Sequence, residues 1–142
     1  MSGKLVVFML NQEEYALPIE HVKEITKLDK ITAVPDAPSF VKGIVNLRGT
    51  VVPILDLHKR LQLKRSVCDI ALIAEIDGLP VGMGVNEVKE VSDLGEYQAP
   101  PQIIANPCIE GILNLSDRLV MVLQVNNLIS DEEKFLLNQM TK

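Results

Sequence analysis

With 19 acidic against 14 basic residues and a net charge of −5, this chain of 142 residues is a poor match for a phosphate backbone, which demands clustered Lys and Arg. No apolar run approaches the ~20 residues needed to span a bilayer, and the opening MSGKLVVFML has neither the length nor the cleavage site of a signal peptide, so a cytoplasmic protein is expected. The length suits one ordinary domain, or two very small ones that lean on each other.

Short apolar runs alternate with turn signals, the pattern of an all-β protein. Leu5–Leu10 is a strand, Asn11–Glu14 a polar turn and Tyr15–Ile19 a second strand. Residues 20–25 read either as a helical turn or as an extended edge. Ile31–Pro38 is loop-like, because Pro35 and Pro38 rule out a regular helix. Gly43–Leu47 and Thr50–Leu55 form a hairpin about Arg48-Gly49, with Gly49 supplying a positive φ. Pro53 cannot donate to a ladder, which suggests an edge or a bulge. Asp56–Leu61 is a helical turn with Asp56 as N-cap. Asp69–Ile76 and Leu79–Val85 flank Asp77-Gly78, a favoured type I′ pair; Gly82 and Gly84 let another segment come close. Gly95–Pro107 is irregular, and Gly111–Leu115 with Leu119–Gln124 makes a last hairpin. Ser130-Asp131-Glu132-Glu133 is a capping box opening a helix over 131–140, expected to dock through Phe135, Leu136 and Met140.

The chain is written twice. Residues 5–25 match 71–91 at an offset of 66, and residues 40–61 match 108–129 at an offset of 68. The second match is FVKGIVNLRGTVVPILDLHKRL against CIEGILNLSDRLVMVLQVNNLI, with Gly43/Gly111, Ile44/Ile112, Asn46/Asn114, Leu47/Leu115, Val52/Val120 and Leu55/Leu123 identical. Val22-Lys23-Glu24-Ile25 faces Val88-Lys89-Glu90-Val91. The change of offset puts two extra residues in the second copy, between 91 and 108. A period near 67 fits a duplicated small fold rather than a solenoid. Each copy has about five short strands, and a five-stranded antiparallel sheet avoids sticky edges by curling into a barrel. The expectation is therefore two five-stranded barrels related by a pseudo-two-fold, residues 1–66 and 67–129, followed by the helical segment 130–142. Exchange of a terminal strand between lobes stays open as an alternative. The seam between lobes is a natural place for a groove.

Motifs for chemistry are scarce. His21 and His58 have no partners at metal-ligand spacing and read as solvated side chains. There is no GxSxG elbow, no GxGxxG before a helix, and the carboxylates are dispersed. Neither a cofactor nor a catalytic constellation is indicated. Met9, Met83, Met121 and Met140 read as core or lobe-interface filler. Cys68 and Cys108 fall at non-equivalent places in the repeat and read as buried or semi-buried free thiols. The sharpest difference between copies is Arg48-Gly49 against Ser116-Asp117. Arg48 reads either as a solvated turn residue or as an interaction anchor, a role in which Arg is enriched.

Asn46-Leu47-Arg48-Gly49 followed by Val51-Val52-Pro53-Ile54-Leu55-Asp56-Leu57 resembles the signature of the CheW family, the chemotaxis coupling proteins. Val22-Lys23-Glu24-Ile25, Val34-Pro35 with Ala37-Pro38, Phe40-Val41-Lys42-Gly43, Gly111 and the terminal capping box fall in the family's order, so the resemblance covers nearly all of the chain. It implies a non-enzymatic adaptor of two SH3-like barrels. Its partners would be the regulatory domain of the histidine kinase CheA and the cytoplasmic tips of methyl-accepting chemoreceptors, and it would be recruited to membrane receptor arrays without inserting. Barrel-to-barrel contacts would build rings, or self-assemblies. Receptor recognition would be helix-in-groove. By position, Val22, Glu24 and Arg48 match family residues implicated in coupling. Ile25, Asn46 and Gly49 belong to the same motifs, and Val88 and Val91 lie in the corresponding second-copy segment. No kinase or receiver segment is attached, so a free-standing adaptor is expected, serving a flagellar, type IV pilus or other pathway. A general double-barrel interaction module is the alternative.

Overall fold

The structure is a computed structural model that describes residues 3–140. Ten strands form two five-stranded sheets: β1 (Leu5–Leu10), β2 (Glu13–Pro18), β3 (Val22–Lys27), β4 (Val41–Leu47), β5 (Thr50–Leu55), β6 (Ile70–Ile76), β7 (Leu79–Val85), β8 (Glu87–Ser92), β9 (Ile109–Asn114) and β10 (Leu119–Leu123). The hairpins turn where expected. Asp77 and Gly78 have φ of 51° and 80°, and Arg48 and Gly49 have 49° and 89°, so both central residues of each turn are left-handed as type I′ requires. Residues 19–25 resolve into both readings in succession, a 3-10 turn over Ile19–His21 and then β3. A short helix, α1 (Leu57–Arg60), opens with the Asp56 carboxylate accepting from the Lys59 N–H at 3.1 Å.

One sheet runs β8-β1-β2-β10-β9 and the other β3-β6-β7-β5-β4. In the repeat β6 corresponds to β1, β7 to β2, β3 to β8, β5 to β10 and β4 to β9, so the two orders are the same order. The sheets do not follow the division at residue 66. Each takes three strands from one copy and its first hairpin from the other, an exchange of a whole hairpin rather than of one terminal strand. The bulges repeat as well. Lys23 and Lys89 are the extra residues opposite β6 and β1, and Lys42 and Glu110 those opposite β5 and β10. An isolated bridge closes each barrel, Thr32 to Ile44 and Gln98 to Ile112. The bridge partners are offset by 66 and by 68, which narrows the two-residue insertion to the stretch between Gln98 and Cys108.

Pro53 is neither at an edge nor in a bulge: β5 lies between β7 and β4. Its effect is to shorten a ladder. β10 pairs with β2 at Val120, Met121 and Val122, whereas β5 pairs with β7 only at Ile54 and Leu55. Pro53, the counterpart of Met121, has no N–H to give.

Burial divides the apolar side chains three ways. A small cluster fills each barrel: Leu5, Val7, Ala16, Leu113, Val120 and Val122 in one, and Val45, Val52, Ile54, Ala71 and Ile73 in the other. These correspond almost one for one through the repeat. Where Ala16 faces Val122, Gly82 faces Ile54, and a Cβ on Gly82 would collide with the Ile54 Cδ1. The larger aliphatic takes the volume the smaller partner leaves. The largest cluster joins both sheets, with Phe8, Leu10 and Leu17 from one and Leu55, Leu72, Ile76 and Met83 from the other. Two lobes of this size lean on each other through it, as their modest individual cores require.

The terminal helix α2 (Asp131–Met140) has the expected box: Ser130 N–H donates to the Glu133 carboxylate at 2.9 Å, and Glu133 N–H to Ser130 Oγ at 3.1 Å. The docking face differs from expectation. Leu137 is buried and Met140 packs on the shared core, while Phe135 and Leu136 are exposed. Arg60 bonds Glu133 at 2.5 Å and Lys134 bonds Asp77 at 2.8 Å, and these pairs turn the 133/134–137–140 face inward.

Candidate functional site

The hairpin tip of β4 and β5 folds back toward edge strand β3. The left-handed pair Arg48-Gly49 makes the turn, and the Gly49 N–H donates to the Asn46 side-chain oxygen at 2.8 Å. Asn46 is therefore occupied in shaping the turn. Arg48 Nη1 donates to Glu24 Oε2 at 3.2 Å, and Nη2 donates to Oε1, so the guanidinium grips the carboxylate as a fork. That hydrogen bonding holds the Glu24 carboxyl below its ordinary range, outweighing an opposing push from desolvation. The Arg48 side chain is nonetheless 74% exposed. The result is an ordered cation on the surface, with donors still free to meet an acceptor from outside.

The other expected residues divide. Val22, Glu24 and Ile25 lie on β3, and Asn46, Arg48 and Gly49 at the facing tip, so six of the eight share one barrel. Val88 and Val91 lie on β8 of the other barrel. Val22 and Val88, equivalent in the repeat, pack half-buried against the shared core. Ile25 and Val91, also equivalent, stand 45% and 44% exposed on the two edge strands. The edge strands thus present one apolar side chain each, and only one of them stands beside an exposed ionic fork.

The second copy shows what sequence reading missed. Glu90, the counterpart of Glu24, also bonds an arginine, but that arginine is Arg118, at the base of the turn just before β10 instead of at its tip, at 2.9 Å. Hydrogen bonds from Ser92 and Arg118 hold the Glu90 carboxyl below its ordinary range. Arg118 further lies 3.5 Å from Glu14, which Lys89 meets at 3.1 Å. This four-charge group is turned inward, with Arg118 only 23% exposed. The repeat carried the signal, since Glu90 aligns with Glu24 while no Arg aligns with Arg48. His58 carried none. It is buried, not solvated as expected, with Nε2 2.8 Å from Asn86 Oδ1. Cys68 and Cys108 are buried thiols, and burial is the main push raising both above their ordinary range.

Among the described residues no three of His, Cys, Asp and Glu come together as metal ligands would. What the site exposes is a forked cation, its acid, and an apolar neighbour on a sheet edge.

Comparison with known proteins decides the family. The CheW-like domain model matches residues 4–133. The chain belongs to the CheW family. The chemotaxis protein CheW of Bacillus subtilis is 35% identical, aligned over 91% of this chain and 88% of its own, and that of Treponema pallidum is 30% identical over 92% and 84%. The crystal structure of scaffolding protein TtCheW from Thermoanaerobacter tengcongensis superposes with a TM-score of 0.84 at 34% identity, covering 92% of this chain and 94% of that one. The fold is accordingly the double SH3-like barrel, and the function that of a chemotaxis coupling adaptor. No described helix is long and apolar enough to cross a membrane.

Proposed function

We propose that this CheW-family chain, without catalysis of its own, couples the tips of methyl-accepting chemoreceptors to the regulatory domain of a CheA-type histidine kinase. It works in the cytoplasm and joins membrane arrays only through these partners. The observation that supports this most is the Glu24–Arg48 fork. It is ordered, it is three-quarters exposed at its arginine, and it stands beside Ile25 on a free sheet edge. Such a combination of apolar area and an orienting cation is what interface anchors use. An adaptor of this kind changes kinase output by its differing affinity for signalling states of its partners. Val22 and Val88 then set the strands from beneath, while Ile25, Val91 and Arg48 meet partners.

The test is kinase autophosphorylation in receptor-containing membranes, with Arg48→Ala checked separately for folding. Activation should fall by about tenfold or more, with the melting temperature little changed. Full activation by the folded variant would remove Arg48 from the coupling surface. A pull-down with a receptor cytoplasmic fragment and a CheA-type kinase separates this reading from a general interaction module.

A further inference from the structure

His58 is 1% exposed, the one polar side chain buried to that degree among the described residues. It projects from α1 to Asn86, and the orientation of that amide is determined by its surroundings. Asn86 Oδ1 accepts the Asn11 backbone N–H at 2.6 Å, while Asn86 Nδ2 donates to Ser66 Oγ at 2.5 Å and to the Val67 carbonyl at 3.3 Å. The oxygen therefore faces His58, so Nε2 carries the hydrogen and Nδ1 is left as an acceptor toward Cys68 Sγ at 3.8 Å. The Asn86 N–H in turn donates to the Met9 carbonyl at 3.0 Å.

The place of this cluster matters. Asn86 is the only residue between β7 and β8, where the chain crosses from one barrel to the other. Its bonds run to β1 and its turn in one barrel, and to α1 and the segment before β6 in the other. The mirror crossing, Ile19–His21, is built differently. Repeat equivalents of His58 and Asn86 are Asn126 and Glu20, both exposed, and a cleft of about 140 Å³ lies there beside Pro18, Glu20 and Tyr97. A buried polar network kept at one of two equivalent crossings adds orientation that apolar packing would not.

We propose that His58 and Asn86 form a polar clamp that sets the angle between the barrels, and that His58 is a positioning residue for coupling. The second half rests on the adaptor reading above. The groove between barrels and the spacing of the two edge strands then depend on a contact that touches no partner.

The experiment places spin labels on cysteines introduced at Lys27 and Asp117, exposed positions on opposite barrels, the native thiols being buried. Dipolar spectroscopy of the full chain reads the distance between them. His58→Ala and Asn86→Ala should widen the distribution about twofold or move its centre, as rigid-body rotation does. His58→Gln, whose amide can supply the same donor, should restore it. Val52→Ala, inside one barrel, should lower stability and leave the distribution alone. Should His58→Ala fail to fold, His58→Phe fills the space without the hydrogen bond and gives the same reading. An unchanged distribution in the His58 variants, or equal widening by Val52→Ala, overturns the clamp. In the kinase assay, maximal activation should fall while the half-saturating adaptor concentration stays within about twofold. The distance measurement uses no partner. It decides the clamp by itself, and an unaltered protein that fails to couple receptor and kinase counts against the adaptor reading alone.

Discussion

Gly111→Ala isolates one instance of a close contact that each barrel has in its own copy. Gly111 lies in β9 opposite the isolated bridge from Gln98, and its backbone does not have a positive φ, so alanine brings no conformational penalty there. The cost must come from contacts. An added Cβ would stand 2.7 Å from the Gln98 carbonyl oxygen and 3.0 Å from Tyr97 Cε1, with Tyr97 Cδ1 closer still. The ring can swing, but the carbonyl belongs to the bridge itself. Moving it strains or breaks two hydrogen bonds, Gln98 N–H to the Ile112 carbonyl at 3.0 Å and Ile112 N–H to the Gln98 carbonyl at 2.8 Å. Overpacking costs about 1–3 kcal/mol, and each lost backbone bond about 1 kcal/mol, so with one or both bonds lost a total of about 2–5 kcal/mol is expected. Urea denaturation measures it, and amide exchange at Gln98 and Ile112 shows whether the bridge is the part that fails. A loss under about 0.5 kcal/mol would refute the reasoning. The identical residue in the other copy, Gly43, has the same kind of neighbour, the Thr32 carbonyl with Ile31 Cγ2 at 2.6 Å.

Gly49→Val should destabilise by about 1–3 kcal/mol, because a β-branched residue resists a φ of 89° although its Cβ would meet nothing; a melting temperature equal to that of Arg48→Ala would count against the tight turn. Burial pushes the Glu133 carboxyl up, but hydrogen bonds from Ser130 and Arg60 outweigh it and leave the group below the usual 4.5. Its contribution is therefore present above pH 4.5 and lost as pH falls below that value. Leu137 methyl signals followed by NMR should report α2 loosening in that window, and Glu133→Gln should abolish the pH dependence. The Tyr97 hydroxyl donates to Glu110, and that bond, with burial, raises its pKa to about 12. Stability from this group is complete below pH 10 and lost as pH rises toward about 12. Phenolate absorbance should show its late step, and Tyr97→Phe should remove it.

The hairpins, the caps and the barrel count were legible because each is written in local chemistry. Asp77-Gly78 and Arg48-Gly49 demand their turns, and Ser130 with Glu133 demands a helix start. The hairpin exchange was not legible. β1 can pair with either edge strand, and those edges carry nearly the same residues, Val22-Lys23-Glu24-Ile25 and Val88-Lys89-Glu90-Val91. Alternation says which face of a strand is buried, and it is silent on which of two like neighbours pairs with it. The face of α2 escaped for a related reason. Apolar residues at 135, 136, 137 and 140 allow more than one phase, and the ion pairs of Glu133 and Lys134 choose among them. His58 was misread because its partner Asn86 lies 28 residues away on another element. The Arg48–Glu24 contact was within reach: both residues were singled out, but nothing local said that the tip folds back onto β3.

Duplication followed by hairpin exchange makes two barrels that are alike in frame and cannot be separated in packing. What distinguishes them functionally is small. Both copies keep the glutamate on the edge strand, and both give it an arginine. In one copy the arginine occupies the turn, where a left-handed backbone lifts it into solvent at 74% exposure. In the other it stands two positions on, at the base of the turn just before β10, where Glu14 and Lys89 enclose it at 23% exposure. A shift of two positions in the repeat frame thus converts an interior electrostatic brace into a surface fork. An enclosed arginine can hold β8 against β2 and β10, but the donors it keeps are turned away from solvent. The exposed one can exchange water for a partner's acceptor at little cost, since Glu24 already fixes its geometry. Two faces with the same fold for this reason present different surface chemistry to the solvent.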